Sequence, residues 1–527
     1  MRFFNTAGPI QPDIHYYLPP LERLSKDEIL ALIASRKYFI LHAPRQTGKT
    51  TCLLALVGEL NRTGQYRAVY ANIEPAQALR EQVERAMRTI LSQISDSATQ
   101  FLDDPLPARR MADLLTERGE DAFSALLKEW SQASPLPLVL MLDEVDALIG
   151  DTLISLLRQL RAGYAARPHG FPQSVILCGV RDVRDYRIHS SRTQEIITGG
   201  SAFNIKAESL RLGNFTSDEI KRLYDQHTAE TGQIFTPDVF PLAWELTGGQ
   251  PWLVNALAYE ACWGMKENRD RARPITAEIF QQAKENLILR RDTHLDQLAD
   301  KLREDRVRRV IEPILAGAQL DAQKLADDIQ YVIDLGLIQR GADGLKVSNA
   351  IYSEIIPREL TSVTQLNFES THRAEWYIAP DGKLDINKLL AAFQQFFREH
   401  SEHWVERFDY KEAGPQLLLQ AFLQRIINGG GRIEREYGLG RKRTDLLIIW
   451  NYPGGTQRVV LELKIARGEL EKLLQAGLEQ TVAYMDRSGA GSGHLVIFDR
   501  RAGKTWEEKI WRRDETWQDH TISVWGM

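Results

Sequence analysis

Lys37–Thr50 reads KYFILHAPRQTGKT, and TCLLALVGELN follows from Thr51. The first seven residues are an apolar run of strand length, and the last eleven carry the composition of a good helix. Between them, Ala43–Thr50 (APRQTGKT) fits the pattern A/G-x-x-x-x-G-K-S/T, with Ala43 in place of the commoner first glycine. A strand, a tight loop and a helix in that order turn backbone N–H groups and a helix N-terminus toward one point, which suits a polyphosphate. Pro44, Arg45, Gln46 and Thr47 form the wrap of the loop, and Gly48 lets the backbone come close. Lys49 is placed to neutralise the β- and γ-phosphates and Thr50 to hold Mg²⁺, and Ala43–Thr51 together are the expected nucleotide-binding residues. ATP with Mg²⁺ is the expected cofactor pair.

Working outward, three more short apolar runs alternate with helical stretches: Arg67–Glu74, Leu136–Asp143 and Ser174–Gly179. Buried strands separated by crossover helices predict an α/β fold with a doubly wound, mostly parallel sheet. The third run continues as LVLMLDEVD over Leu138–Asp146. Asp143 then falls at the carboxyl end of a strand beside the phosphate loop, where it would position Mg²⁺ through water. Glu144 would polarise the attacking water. A buried strand ending in a solvated acidic turn is the plainer alternative.

Composition narrows the function classes. The 527 residues imply about three or four domains. Hydrophobic residues at 43% and charged residues at 26% exclude a disordered or low-complexity chain. No apolar run reaches membrane-spanning length, and the N-terminus MRFFNTAGPI lacks a basic start followed by an apolar stretch, so neither a membrane role nor a secretory leader is expected. Three cysteines without paired spacing exclude a disulfide framework and fit a reducing cytoplasm. A net charge of −5 means that any nucleic-acid binding must be local rather than a bulk effect.

The expected organisation is a nucleotide-binding core over 1–205, a helical lid over 206–290, a small helical unit with a hairpin over 291–360, a connector over 361–383, and a last block over 384–527. FTSDEIKRLY opens the lid with a helix-start signal at Thr216 and Ser217. In the third block, GLIQRGADGLKVS reads as a hairpin with Gly341 and Gly344 bracketing its turn, giving a winged-helix-like unit. Its third helix, Leu325–Leu335, carries Asp327, Asp328 and Asp334, which oppose phosphate and favour a packing or regulatory role, while Lys324, Arg340 and Lys346 keep DNA reading as the alternative.

The last block reads in the order α, β, β, β, α, β. Its strands are Arg432–Tyr437, Thr444–Trp450, Arg458–Ile465 and Leu495–Phe498, with helices over Gly414–Asn428 and Gly468–Arg487. Asp445 stands in RKRTDLLIIW, and Glu462 and Lys464 in VVLELKI. Alternation places Glu462 and Lys464 on one face, and a hairpin through Tyr452–Gly455 brings Asp445 toward them. Two carboxylates and an ammonium inside apolar strands must be paired or bind metal. Asp445 and Glu462 would suit a second Mg²⁺, with Lys464 orienting the nucleophile or neutralising developing charge. Gln480 and Tyr484, one turn apart in EQTVAYM, share a face of the next helix. Arg432, Arg435, Arg441, Lys442 and Arg443 surround the cluster and could bind a nucleic-acid backbone, or form a solvated face with Glu434 and Glu436.

APRQTGKT, LVLMLDEVD and the strand VILCGVRD resemble the core of the AAA+ and signal-transduction (STAND) P-loop ATPases, and TGGQP over Thr247–Pro251 resembles the GxP-type motif of their lid. The resemblance spans about residues 1–290 and implies a helical lid closing over nucleotide, with Pro251 in its motif. It also implies that Arg181 reads the γ-phosphate, against the alternative of a surface arginine pairing Asp182 or Asp185. DIHYYLPP would strap the fold or pack His15 or Tyr16 on adenine. Asp445, E-L-K over 462–464 and the Q-x-x-x-Y of Gln480 and Tyr484 resemble the PD-(D/E)XK nucleases, with Thr444 where the family name has proline.

The whole chain, including FFNTAGPI and YFILHAPRQTGKTT, is similar to a bacterial family joining an AAA-like ATPase to such a nuclease. That resemblance implies ATP hydrolysis, Mg²⁺-dependent DNA cleavage, DNA as partner, a homo-oligomer, an unnamed protein partner or trigger, and a setting in defence or mobile-element biology. The competing expectation is a nucleotide-switched signalling or scaffold ATPase whose last block binds nucleic acid or partners without cutting. A DNA motor is the weakest expectation, because no further helicase motif accompanies the two nucleotide motifs.

Overall fold

The apolar run before the phosphate loop becomes β1 (Tyr38–His42), and the helix after it spans Lys49–Thr63. In this computed structural model, the described residues are all but 183–186, 190–195, 199–202, 291–294, 296–297, 299, 316–324, 342–343, 361–376, 406–414, 416–417, 421, 424–430, 436–445 and 502. The other predicted strands form as β2 (Arg67–Asn72), β3 (Leu138–Asp143) and β4 (Ser174–Gly179). β5 (Arg187–His189) and β6 (Ile196–Thr198) pair only with each other, and β7 (Lys206–Arg211) joins the main sheet. The five-stranded sheet has the order β2-β3-β4-β1-β7 and is parallel throughout.

Both faces of this sheet are covered, which is why its strands read as continuous apolar runs. Tyr38, Ile40, Leu140 and Leu142 face a core built with the helices Val83–Leu102, Ala122–Ala133 and Gly150–Gly163. Phe39, Leu41, Val139 and Met141 face the other way, against Lys26–Ala34 and Lys49–Thr63. β7 corrects the expectation of helices only from residue 206. KAESLR interleaves charged residues because it lies at the sheet edge, so it lacks the apolar run of an inner strand.

Beyond β7 come the lid helices Ser217–Thr231, Val239–Thr247, Pro251–Tyr259 and Ala277–Arg290. The start signal at Thr216 is a reciprocal capping box: Thr216 Oγ1 accepts from the Glu219 amide at 3.2 Å, and the Thr216 amide donates to Glu219 at 2.7 Å. These elements form one compact unit, Met1–Leu287, which also includes the short stretch Ile333–Gly336.

The second unit comprises Ile288–Val332 and Leu337–Met527. Its first part holds the helix Asp305–Leu315, most of the helix Ala326–Asp334, the hairpin of β8 (Ile338–Gly341) and β9 (Gly344–Val347), and the helix Ala350–Leu360. Asp328 in that helix pairs with Arg306 at 3.2 Å and Arg309 at 3.7 Å. Its second part is a six-stranded sheet of β10 (Gly431–Arg435), β11 (Leu446–Tyr452), β12 (Gly455–Ala466), β13 (Ser492–Asp499), β14 (Trp511–Trp517) and β15 (His520–Gly526). The order is β10-β11-β12-β13-β15-β14; β10 to β12 pair antiparallel, β12-β13 and β13-β15 parallel, and β14-β15 antiparallel.

The helix Leu470–Ser488 covers one face, packing Leu474, Leu478 and Val482 on Leu495, Ile497 and Val524. The helix Ile386–Val405 covers the other, packing Leu389 and Phe393 with Ile448, Leu461 and Phe498. Strands and the second helix follow the sequence reading closely. The helix Ile386–Val405 and the closing hairpin β14-β15 were not anticipated from the sequence.

Candidate functional site

Backbone shape comes first at the phosphate loop. Gln46 and Gly48 take left-handed φ values of 57° and 90°, so the chain curls between β1 and the helix. Gly48 pays the smaller strain, since it has no Cβ. Lys49 is buried, and its Nζ donates to the carbonyls of Ala43 at 3.0 Å and Pro44 at 3.1 Å. Thr47 Oγ1 closes the turn on the Pro44 carbonyl at 2.8 Å. The ammonium therefore rests on neutral main-chain acceptors rather than on a carboxylate. Arg45 is exposed at the loop, and Thr51 Oγ1 accepts from the Ile10 amide at 3.2 Å, which ties the N-terminal segment to the helix start.

Asp143 ends β3 and is fully buried. Its Oδ2 accepts from Thr50 Oγ1 at 2.7 Å and from Tyr70 Oη at 3.1 Å, while Oδ1 accepts from the Glu144 amide at 3.0 Å. A hydroxyl and a carboxylate meeting here form an oxygen donor pair of the kind Mg²⁺ takes, and Thr50 and Asp143 are the residues that would hold such an ion. Glu144 follows in left-handed conformation, φ 59°, an uncommon geometry for a non-glycine residue that lifts it out of the strand line. Burial raises its carboxyl pKa above the ordinary range, neighbouring Asp146 raises it further, and Lys49 counters. Asp146 Oδ1 accepts from the Val180 amide at 3.1 Å; a Cβ at Gly179 would lie 2.5 Å from that oxygen, so the glycine at the end of β4 makes room for the brace.

Several of these partners escaped the sequence reading. Tyr70 shares a sheet face with Val139, Met141 and Asp143, and strict alternation from β2 to β3 was the signal that could have found it. In the lid motif, Gln250 rather than Pro251 reaches the phosphate loop: its Nε2 donates to the Gln46 carbonyl at 3.4 Å, and its Oε1 caps the following helix at Leu253, 2.6 Å. Pro251 is the first residue of that helix. Gly249 is compelled, because a Cβ there would lie 2.0 Å from the Phe215 carbonyl oxygen.

Tyr16 is buried and its hydroxyl meets His227 Nδ1 at 3.3 Å, so it belongs to the lid core. His15 Nδ1 accepts from the Gln11 amide at 3.0 Å. Both side chains fasten the strap. Arg181, just past β4, has its Nε 3.5 Å from Asp334, whose side chain is 2% exposed. Arg211, at the end of β7, donates to the Ile333 carbonyl at 3.1 Å, and a Cβ at Gly336 would fall 2.7 Å from Pro44. The stretch Ile333–Gly336 thus touches the phosphate loop and both of these arginines.

In the second unit, Glu462 and Lys464 lie on β12 with one side-chain direction, as alternation requires. Glu462 is fully buried; Lys464 Nζ donates to its Oε1 and to Gln480 Oε1 on the facing helix. Tyr484 is buried one turn beyond Gln480, in a cluster with Leu447, Ile449 and Val460. The structure therefore joins Glu462, Lys464 and Gln480, while Tyr484 packs in the apolar cluster one helical turn from Gln480. Asp445 lies outside the described residues, as do Arg441, Lys442 and Arg443; of Arg432 and Arg435 only the place in β10 is described. Among the described residues no group of three or more His, Cys, Asp or Glu side chains forms a metal cluster. Among the same residues no helix is long and apolar enough to cross a membrane.

Residues 33–186 match the family model described as an AAA domain. Among solved structures, a Walker-type ATPase of Pyrococcus abyssi is similar over 67% of this chain and 99% of its own, at 14% identity and a TM-score of 0.45. Cdc6p from Pyrobaculum aerophilum is similar over 65% and 95%, at 17% identity and a TM-score of 0.36. The Thermotoga maritima RuvB Holliday junction branch migration motor is similar over 62% and 91%, at 16% identity and a TM-score of 0.34. No curated protein matches the chain. Residues 33–186, which hold the phosphate loop and the Asp143–Glu144 pair, therefore form an AAA-type P-loop ATPase domain.

Proposed function

We propose that the chain couples ATP hydrolysis in its first unit to Mg²⁺-dependent DNA cleavage in its second, with nucleotide state governing the cut. The ATPase half rests on Lys49, Thr50, Asp143 and Glu144 at the carboxyl ends of parallel strands, where such sheets bind ligands. Lys49 leaves two neutral carbonyls to meet the β- and γ-phosphates. Thr50 and Asp143 hold Mg²⁺, which supplies charge neutralisation on the phosphates. Glu144, with its proton affinity raised by burial, orients and polarises the water.

One observation carries the nuclease half: a fully buried Glu462 bonded to Lys464, which is bonded in turn to Gln480. Burying a carboxylate and an ammonium together costs more than an apolar pair of equal volume, so a stability role alone does not account for them. Glu462 with Asp445 would hold Mg²⁺ for water activation, and Lys464 would stabilise the pentavalent charge while Gln480 and Tyr484 position it. Of the basic residues flanking the cluster, Arg441, Lys442 and Arg443 are proposed to grip the DNA backbone.

The test is the purified full chain with plasmid, linear and single-stranded DNA, with and without Mg²⁺ and ATP. Cutting that needs Mg²⁺ and disappears in Glu462→Gln supports the reading. ATP turnover with no cutting under any of these conditions leaves a nucleotide-switched scaffold that binds without cleaving.

A further inference from the structure

Arg23 precedes the helix Lys26–Ala34 and belongs to no motif in the sequence, yet it stands directly behind the phosphate loop. Its NH1 donates to the Thr47 carbonyl at 2.8 Å and its NH2 to the Gly213 carbonyl at 2.6 Å. Its guanidinium lies over the Phe215 ring, 4.7 Å from the centroid. A Cβ added at Gly48 would come within 3.0 Å of NH1, so the cation is seated against the residue before Lys49. Among the described residues no carboxylate forms an ion pair with it, and its Nε is buried without a hydrogen-bond partner.

Arg23 is half-buried, and a guanidinium partly withdrawn from water and met only by carbonyls and a ring gains from an anion placed nearby. The protein places two carbonyls and an aromatic face against Arg23, and the carboxylate whose charge reaches it, Glu219, forms no ion pair with it. The loop in front of it is built to receive a polyphosphate. Thr47 sits between two left-handed residues, so its carbonyl must point away from the phosphate seat for the following amide to point in. The Thr47 carbonyl and the Gly48 amide belong to one peptide group. Donation from a cation to that carbonyl polarises the group and makes the Gly48 N–H a stronger donor.

We infer that Arg23 is a positioning residue of the nucleotide site: it fixes the Thr47–Gly48 peptide from behind, strengthens its grip on phosphate, and ties the loop to Gly213–Phe215, where the lid begins. The inference rests on the ATPase reading and adds a second cation to the one that Lys49 supplies. Arg23 touches no nucleotide itself; it acts through the peptide that does. Phe215 extends the tie, because its amide donates to the Gly249 carbonyl of the lid motif at 2.8 Å.

The experiment measures competition of ATP and of adenosine against a fluorescent ATP analogue, for wild type, Arg23→Gln and Arg23→Lys, with a thermal melt of each. A charge-assisted hydrogen bond predicts that Arg23→Gln weakens ATP binding by roughly 10-fold or more. Adenosine, which has no phosphate, should compete as it does with wild type. Arg23→Lys keeps the charge but loses the fork, and should fall between the two. Equal loss of ATP and adenosine affinity would make Arg23 a fold residue only, and unchanged ATP affinity in both variants would overturn the inference. If Arg23→Gln fails to fold, Arg23→Lys carries the same two outcomes. Failure of the wild type to bind ATP would instead strike the ATPase reading.

Discussion

Each unit of this chain sets a lysine close to a buried acid, and the two lysines are held in opposite ways. Lys49 rests on the carbonyls of Ala43 and Pro44, while the nearby Asp143 takes its hydrogen bonds from Thr50, Tyr70 and the Glu144 amide. Lys464 bonds directly to the fully buried Glu462. The first arrangement keeps acid and base apart, ready for phosphate on one side and a metal on the other. The second neutralises the acid in place, so a metal arriving at Glu462 must displace or share with the ammonium. A phosphate loop can be held open by backbone geometry alone, whereas a carboxylate inside a sheet cannot stay bare.

That contrast can be broken most sharply at Lys49. Lys49→Ala removes the cation aimed at the phosphates, and we expect ATP affinity to fall by about 100-fold or more, read by fluorescence titration. Thermal stability should change little, because only two neutral carbonyls lose a donor and no charged partner is left unpaired. A large melting shift with intact ATP affinity would show that Lys49 is structural, as its counterpart Lys464 partly is.

Glu144→Gln should follow in size. We expect ATP to bind as before and turnover to drop by about 100-fold, within the usual range for loss of a general base. The wild-type pH profile sharpens the point. A base works ionised, and burial raises the Glu144 pKa, so turnover should decline on acidification at a higher pH than an ordinary glutamate would give. A pH profile whose acid limb is unchanged in Glu144→Gln would assign the water to another residue.

Asp334→Asn comes next. It removes the charge that pairs with Arg181 and should raise ATP affinity severalfold if Arg181 turns to the γ-phosphate, leaving ADP affinity nearly unchanged. Equal shifts for ATP and ADP would leave Arg181 as a structural partner of Asp334. Tyr70→Phe should have the smallest effect. It removes one hydrogen bond to Asp143, about 1 kcal/mol, and should raise the Mg²⁺ requirement of turnover by roughly fivefold. An unchanged Mg²⁺ midpoint would place Tyr70 in the core alone.

Legibility in the sequence followed the same division. The inner strands and the phosphate loop were readable because burial on both faces writes an apolar run and because the loop needs glycine, lysine and threonine at fixed spacing. β7 was not, since an edge strand such as KAESLR is free to carry charge. Gln480 and Tyr484 were named through helical spacing; Gln480 accepts from Lys464, while Tyr484 packs with Leu447, Ile449 and Val460. Tyr70 was within reach of strand alternation from β2 to β3, but Gln250, Arg23 and Asp334 were out of reach as partners of the nucleotide site: each acts across chain separations that no local pattern encodes, through a carbonyl, a carboxylate or a guanidinium supplied by a distant segment.

The central question is whether the chain holds two separate active sites. The direct measurement is ATP turnover and plasmid nicking, followed in one reaction with Mg²⁺, for wild type, Lys49→Ala and Glu462→Gln. The account predicts that Glu462→Gln hydrolyses ATP normally and leaves the plasmid intact, and that Lys49→Ala loses turnover and any response of nicking to ATP. Nicking that persists in Glu462→Gln at the wild-type rate would contradict it.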